Sequence, residues 1–87
     1  MNESFEVRYA ASAARQLRKL DRAAQTRILR TIEILRTNPR PTRAKQLVGG
    51  SGEWRVRTGD YRIIYEIHDG ELLILVLRIG HRREVYR

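Results

Sequence analysis

The sequence predicts a small α+β domain in the order β-α-α-β-β-β, with an antiparallel-rich sheet covered on one face by a helical hairpin. Three observations predict it. Two segments of helical apolar period follow one another with almost no break between residues 12 and 37. Three apolar or alternating stretches then fill the C-terminal half, separated by Gly59-Asp60 and Asp69-Gly70. The 87 residues suit one domain, here 1–87, and leave no room for two.

Each element has its own local reason. Phe5, Val7 and Tyr9 alternate with Glu6 and Arg8, the pattern of a short half-buried strand. Ser12 is placed to cap a first helix whose apolar side carries Ala13, Leu17 and Leu20, and Asp21 to cap a second. In the second, Ile28, Ile32 and Leu35 recur at i, i+4 and i+7 among Arg22, Arg27, Arg30 and Glu33, which gives one stripe to bury. Asn38-Pro39 ends it, because proline disfavours helix in the residue before it. So short a link between helices makes a helical hairpin. Residues 39–52, with Pro41 and the run GGSG, read as loop. Strands follow at Glu53–Thr58, Tyr61–His68 and Glu71–Ile79, the last two joined by a two-residue hairpin at Asp69-Gly70. Leu72 to Leu77 is apolar on both faces, as a central strand should be.

Composition narrows the function. There is no cysteine, so neither a disulfide nor a thiolate metal site braces the chain, and a reducing, cytoplasmic setting is expected. Two histidines, His68 and His81, make no recognisable metal site, and no metal or cofactor is predicted. The opening residues lack a signal-peptide pattern, and the longest apolar run is too short to span a bilayer. The net charge is +8, and 16 of the 18 basic residues are arginine. Arginine stays charged when partly buried and grips phosphate with a planar fork. The excess therefore points to nucleic acid or an acidic protein partner, with a GC-rich genome as the plainer explanation.

Arg55, Arg57 and Arg62 interrupt strands in WRVRTGDYR. Alternation sends Trp54, Val56, Ile63 and Ile67 toward the helices and gathers the three arginines on the uncovered face. Trp54, Tyr61 and Tyr65 are then core residues, and His68 is a surface residue beside a turn. Gly80 permits a turn that brings His81, Arg82, Arg83 and Tyr86 over the same face. The plainer alternative is a set of solvated arginines paired with Glu53, Glu66 and Glu84.

GEWRVRTGDYRIIYEIHDG, the apolar strand after it, and IGHRREVYR together resemble the RelE/ParE superfamily of toxins from type II toxin–antitoxin systems, and most of all its RelE branch. The likeness covers nearly the whole chain. It implies a ribosome-dependent mRNA interferase that cuts the A-site codon by attack of a ribose 2′-OH on the adjacent phosphate. It further implies Arg62 as the transition-state phosphate stabiliser, Arg82 as general acid or phosphate clamp, and Tyr86 as the group that orients or deprotonates the 2′-OH or stacks on the base. Arg55, Arg57 and Arg83 become substrate-binding residues. RelE-like proteins often carry lysine where this chain has Arg55 and Arg57, and arginine is a poor base, so His81 is the substitute base. The implied partners are mRNA, the ribosome with its 16S rRNA, and an acidic, wrapping antitoxin in a heterotetramer or larger complex, with no membrane. Arg15, Arg18, Arg22, Arg27 and Arg30 serve rRNA phosphates or simply face solvent. Two alternatives stay open: a ParE-like poison of DNA gyrase that is no nuclease, and a relative that keeps its antitoxin contact without toxicity.

Overall fold

In the computed structural model, which describes residues 4–81, strand β1 (Glu6–Tyr9) leads into helices α1 (Ala11–Lys19) and α2 (Arg22–Thr37). Strands β2 (Lys45–Gln46), β3 (Trp54–Thr58), β4 (Tyr61–His68) and β5 (Leu73–His81) follow. The five strands form one sheet in the order β1-β5-β4-β3-β2. β1 runs parallel to β5, and the other neighbours are antiparallel. The helical hairpin covers one face. Ala13 of α1 and Ile28, Ile32 and Leu35 of α2 pack on Val56, Ile63, Tyr65, Ile74, Val76 and Ile79. The i, i+4, i+7 stripe is thus buried as its spacing predicts. Asp21 caps α2 by accepting from the Ala24 N–H at 2.9 Å. β5 lies between β1 and β4, which is why its sequence is apolar on both faces.

Three expectations are corrected. Ser12 does not cap α1; the N-cap is Ala10, with no side-chain bond. Ser12 Oγ instead donates to the Leu77 carbonyl at 3.0 Å, and the Ile79 N–H donates to Gln16 Oε1 at 2.8 Å. The reason is topological. β1 pairs with β5 only as far as Val76, so the last residues of β5 have no strand on that side. α1 lies along that bare edge, and its polar side chains satisfy it. Gln16→Leu should therefore orphan the Ile79 N–H and cost about 1–3 kcal/mol. Gln16→Glu, which keeps the acceptor, should recover most of the loss in a thermal melt.

The Asp69-Gly70 hairpin is the second correction. Asp69–Glu71 forms a single 3-10 turn, and Leu72 takes the left-handed conformation with φ 50°, so pairing resumes at His68 and Leu73. Two contacts favour the longer turn. Arg40 reaches from the loop after α2 and forks onto the Asp69 carboxylate at 2.8 and 3.2 Å, and the Glu6 N–H donates to the Leu72 carbonyl at 2.7 Å. That fork holds the Asp69 carboxyl below its ordinary range. The third correction concerns residues 39–52, which are not all loop. Two residues pair with β3, as Lys45 opposite Arg55 and Gln46 opposite Trp54. A strand that short carries no periodicity to read.

Tyr65 fixes the same region from below. Its side chain is fully buried, and its hydroxyl donates to the Pro39 carbonyl at 2.7 Å. Burial pushes the phenol up to about 12. Because the folded value exceeds the unfolded one, the neutral ring stabilises the fold fully below about pH 10, and that contribution is lost as pH rises toward 12. Stability should fall across that window in urea titrations, and less steeply in Tyr65→Phe.

Candidate functional site

The strand register decides what the face away from the helices presents. Val56 opposes Ile63, which opposes Ile79, and all three belong to the core. The residues between them therefore point away from the helices. One row across the sheet reads Lys45, Arg55, Ile64, Arg78, and the next, toward the Gly59-Asp60 turn, reads Arg57, Arg62, Gly80. Two pairs of cations thus stand directly opposite one another, Lys45 with Arg55 and Arg57 with Arg62. Arg62 is buried to 8 % exposure, while Arg57 is exposed. Gly80, opposite Arg62, offers no side chain to crowd it. The turn that brings β3 and β4 into this register has Gly59 at φ 62°, a left-handed position suited to glycine.

Two carboxylates of β4 and the strand entry have local partners among the described residues. Glu66 Oε1 lies 2.9 Å from His68 Nε2, and Glu53 Oε1 accepts from the Ser51 N–H at 2.8 Å. Beyond Ile64 the face turns apolar and mixed, with Leu75 between Arg8 and Glu66 and Leu73 between Glu6 and His68. Cationic charge is concentrated at the end of the sheet nearest the Gly59-Asp60 turn.

The expected site residues divide. Arg55, Arg57 and Arg62 come together on one face. His81 does not join them: it pairs with Tyr61 on the helix side, its ring edge-on to the tyrosine at 6.0 Å, beside Gln16 and Lys19 of α1 and Leu20 just after it. A base role for His81 on the arginine face is therefore disfavoured by the parity of β5. Arg82, Arg83 and Tyr86 lie outside the described residues. Trp54 sits on the core side with the Arg40 guanidinium 5.5 Å from its ring centroid, so it is no platform for a base. Two cations of the face, Lys45 and Arg78, escaped the sequence reading. Arg78 could have been found, since it alternates with buried Ile79. Lys45 could not, because its strand is two residues long. Arg15, Arg18, Arg22, Arg27 and Arg30 are all exposed on the helices, and Arg27 and Arg30 line a groove with Arg43. Among the described residues no helix is long and apolar enough to cross a membrane.

Comparison with known proteins agrees with this architecture. Residues 7–86 match the family model described as ParE toxin of type II toxin–antitoxin system, parDE. Toxin RelG of Mycobacterium tuberculosis is 31 % identical over 95 % of this chain and 97 % of its own. A putative toxin RelE1 of Methanocaldococcus jannaschii is 28 % identical over 95 % and 96 %. Among solved structures, the toxin–antitoxin complex RelBE2 of M. tuberculosis superposes with a TM-score of 0.82 at 26 % identity, covering 94 % of this chain and 95 % of that one. The archaeal RelE–RelB complex of Pyrococcus horikoshii gives 0.80 at 26 %, covering 94 % and 99 %. The order of elements, the five-strand mixed sheet and the match over nearly the whole sequence place this chain in the RelE/ParE superfamily, as a toxin of the type II toxin–antitoxin class.

Proposed function

We propose that this toxin is a RelE-type endoribonuclease that cuts mRNA in the ribosomal A site. One observation carries the reading: cations stand directly opposite cations on the face away from the helices, Arg57 with Arg62 and Lys45 with Arg55. Like charges in such positions destabilise a sheet. A phosphodiester lying between such cations would offset that repulsion with charge-assisted hydrogen bonds.

The chemistry follows from the charge. The 2′-oxygen of one nucleotide attacks the phosphorus joining it to the next. Its proton leaves, the phosphorus gains negative charge, and the bond to the 5′-oxygen breaks, leaving a 2′,3′-cyclic phosphate and a 5′-hydroxyl. Arg62, nearly buried, supplies its charge where the dielectric is low and the interaction strong. Exposed Arg57 and half-buried Arg55 hold the flanking phosphates. Arg82 and Tyr86 remain the groups proposed for proton transfer, with Arg83 on the substrate. The helix arginines fit the phosphates of 16S rRNA. An acidic antitoxin would neutralise the +8 chain and fold on it in a heterotetramer or larger assembly, as the RelB–RelE complexes among its structural neighbours make natural.

The match to a ParE toxin model favours a second reading, poisoning of DNA gyrase. One pair of assays separates them. Purified protein is added to a reconstituted translation reaction, mRNA 5′ ends are mapped by primer extension with and without ribosomes, and gyrase supercoiling is followed in parallel. New ends at A-site codons that require ribosomes support the nuclease. Intact mRNA with gyrase inhibited would replace it.

A further inference from the structure

The face away from the helices holds a pocket beside the arginines that phosphate binding does not use. It encloses about 450 Å³ and is lined by Leu47, Gly50, Ser51, Glu53, Ile64 and Arg78, with fully exposed Val48 at its rim. The volume lies in the range of small-molecule sites. Its floor is Ile64, only 2 % exposed although it points away from the helices. Ile64 stands opposite Arg55 on one side and Arg78 on the other, two residues from Arg62. Two residues along a strand is about 6.7 Å. A nucleotide whose phosphate lies against Arg62 therefore has this pocket within reach of its base.

The walls are built for a flat, amphipathic ligand. Val48 and Leu47 offer apolar contact, and Arg78 offers a guanidinium plane and donors. Glu53 offers an acceptor whose position is set: the Ser51 N–H holds Oε1 at 2.8 Å. Its backbone carbonyl accepts from the Leu47 N–H at 2.9 Å, which pins the same residue to the loop. Gly50 is part of the same device, because a Cβ there would collide with Glu53 Oε1. Its φ is not in the left-handed region, so backbone strain does not explain a glycine at this position.

We infer that the pocket between the 47–53 loop and Ile64 is a nucleobase subsite, in which Glu53 selects a base bearing an exocyclic amine over uracil. A carboxylate accepts from such an amine, whereas uracil offers only N3–H, flanked by two carbonyl oxygens that repel a carboxylate. The inference rests on the proposed action on RNA, and it adds a sequence preference to a face that otherwise reads only phosphate.

The test measures binding directly. Uncleavable 2′-deoxy trinucleotides of sequence UNU, with N each of the four bases, are titrated into the intact protein, and amide shifts of residues 47–53 and the Ile64 methyl shifts are followed by NMR. The central A, C or G should bind about 5- to 150-fold tighter than U, with shifts centred on the loop. Glu53→Gln and Gly50→Ala should each shrink that ratio toward one. Arg57→Ala should weaken all four probes alike. Equal binding of all four, a ratio untouched by Glu53→Gln, or shifts absent from the loop would overturn the subsite. Base-selective binding without ribosome-dependent cleavage would instead retain the subsite and remove the nuclease.

Discussion

Arg62→Met is expected to lower ribosome-dependent cleavage by about 10²- to 10³-fold, the usual loss when one preorganised charge is taken from a developing oxyanion. Methionine keeps most of the aliphatic stem, so the change is mainly one of charge. Two features make Arg62 the most sensitive position on the face. It is nearly buried, and it stands directly opposite Arg57. Removing it lifts a like-charge pairing across β3 and β4, so the variant should keep its circular dichroism spectrum while losing catalysis. Arg57→Met, at an exposed position, should lose less. Initial cleavage rates at saturating ribosomes, from single-turnover reactions, provide the measurement. Near-normal cleavage by folded Arg62→Met would sink the proposed chemistry.

Ile63→Ala should bring the largest loss of stability. Ile63 is fully buried on the core side of β4, paired with Val56 and Ile79. Truncating such a residue costs about 2–5 kcal/mol through lost transfer and the cavity left behind. A domain of this length has roughly 4–13 kcal/mol in total. The melting temperature should drop by roughly 10–30 °C. Thermal and urea denaturation will show it, and a loss under about 1 kcal/mol would mean the core repacks around the gap. The two neighbours thus separate cleanly: position 62 answers in activity and position 63 in stability, because consecutive strand residues face opposite ways.

That alternation is also why much of the site was legible beforehand. Parity along Tyr61–His68, with Trp54 and Val56 beside it, assigned Arg55, Arg57 and Arg62 to one face before any contact was known. The stripe Ile28, Ile32, Leu35 and the Asp21 cap were equally plain, since helix period and capping are local properties. What failed was what long-range contacts decide. Ser12 looked like a cap because serine near a helix start usually is one, yet the bare edge of β5 claims its hydroxyl. Asp69-Gly70 looked like a two-residue turn, yet Arg40 from a distant loop and Glu6 from β1 hold a longer one. His81 was grouped with the arginines through an assumed turn at Gly80, whereas the strand continues through Gly80 and sends it to the helix side.

The parallel pairing of β1 with β5 has a consequence for synthesis. Residues 6–9 find their partners at 73–76, across nearly the full described chain. Such pairing has high contact order and is slow to close. β5 also separates β1 from β4, so the sheet stays in two pieces until it is in place. A nascent chain that has made everything up to β4 holds the hairpin bearing Arg55, Arg57 and Arg62, but neither a closed core nor Arg78. Vectorial translation therefore sets the timing of the arginine face: it matures only once the last strand has emerged.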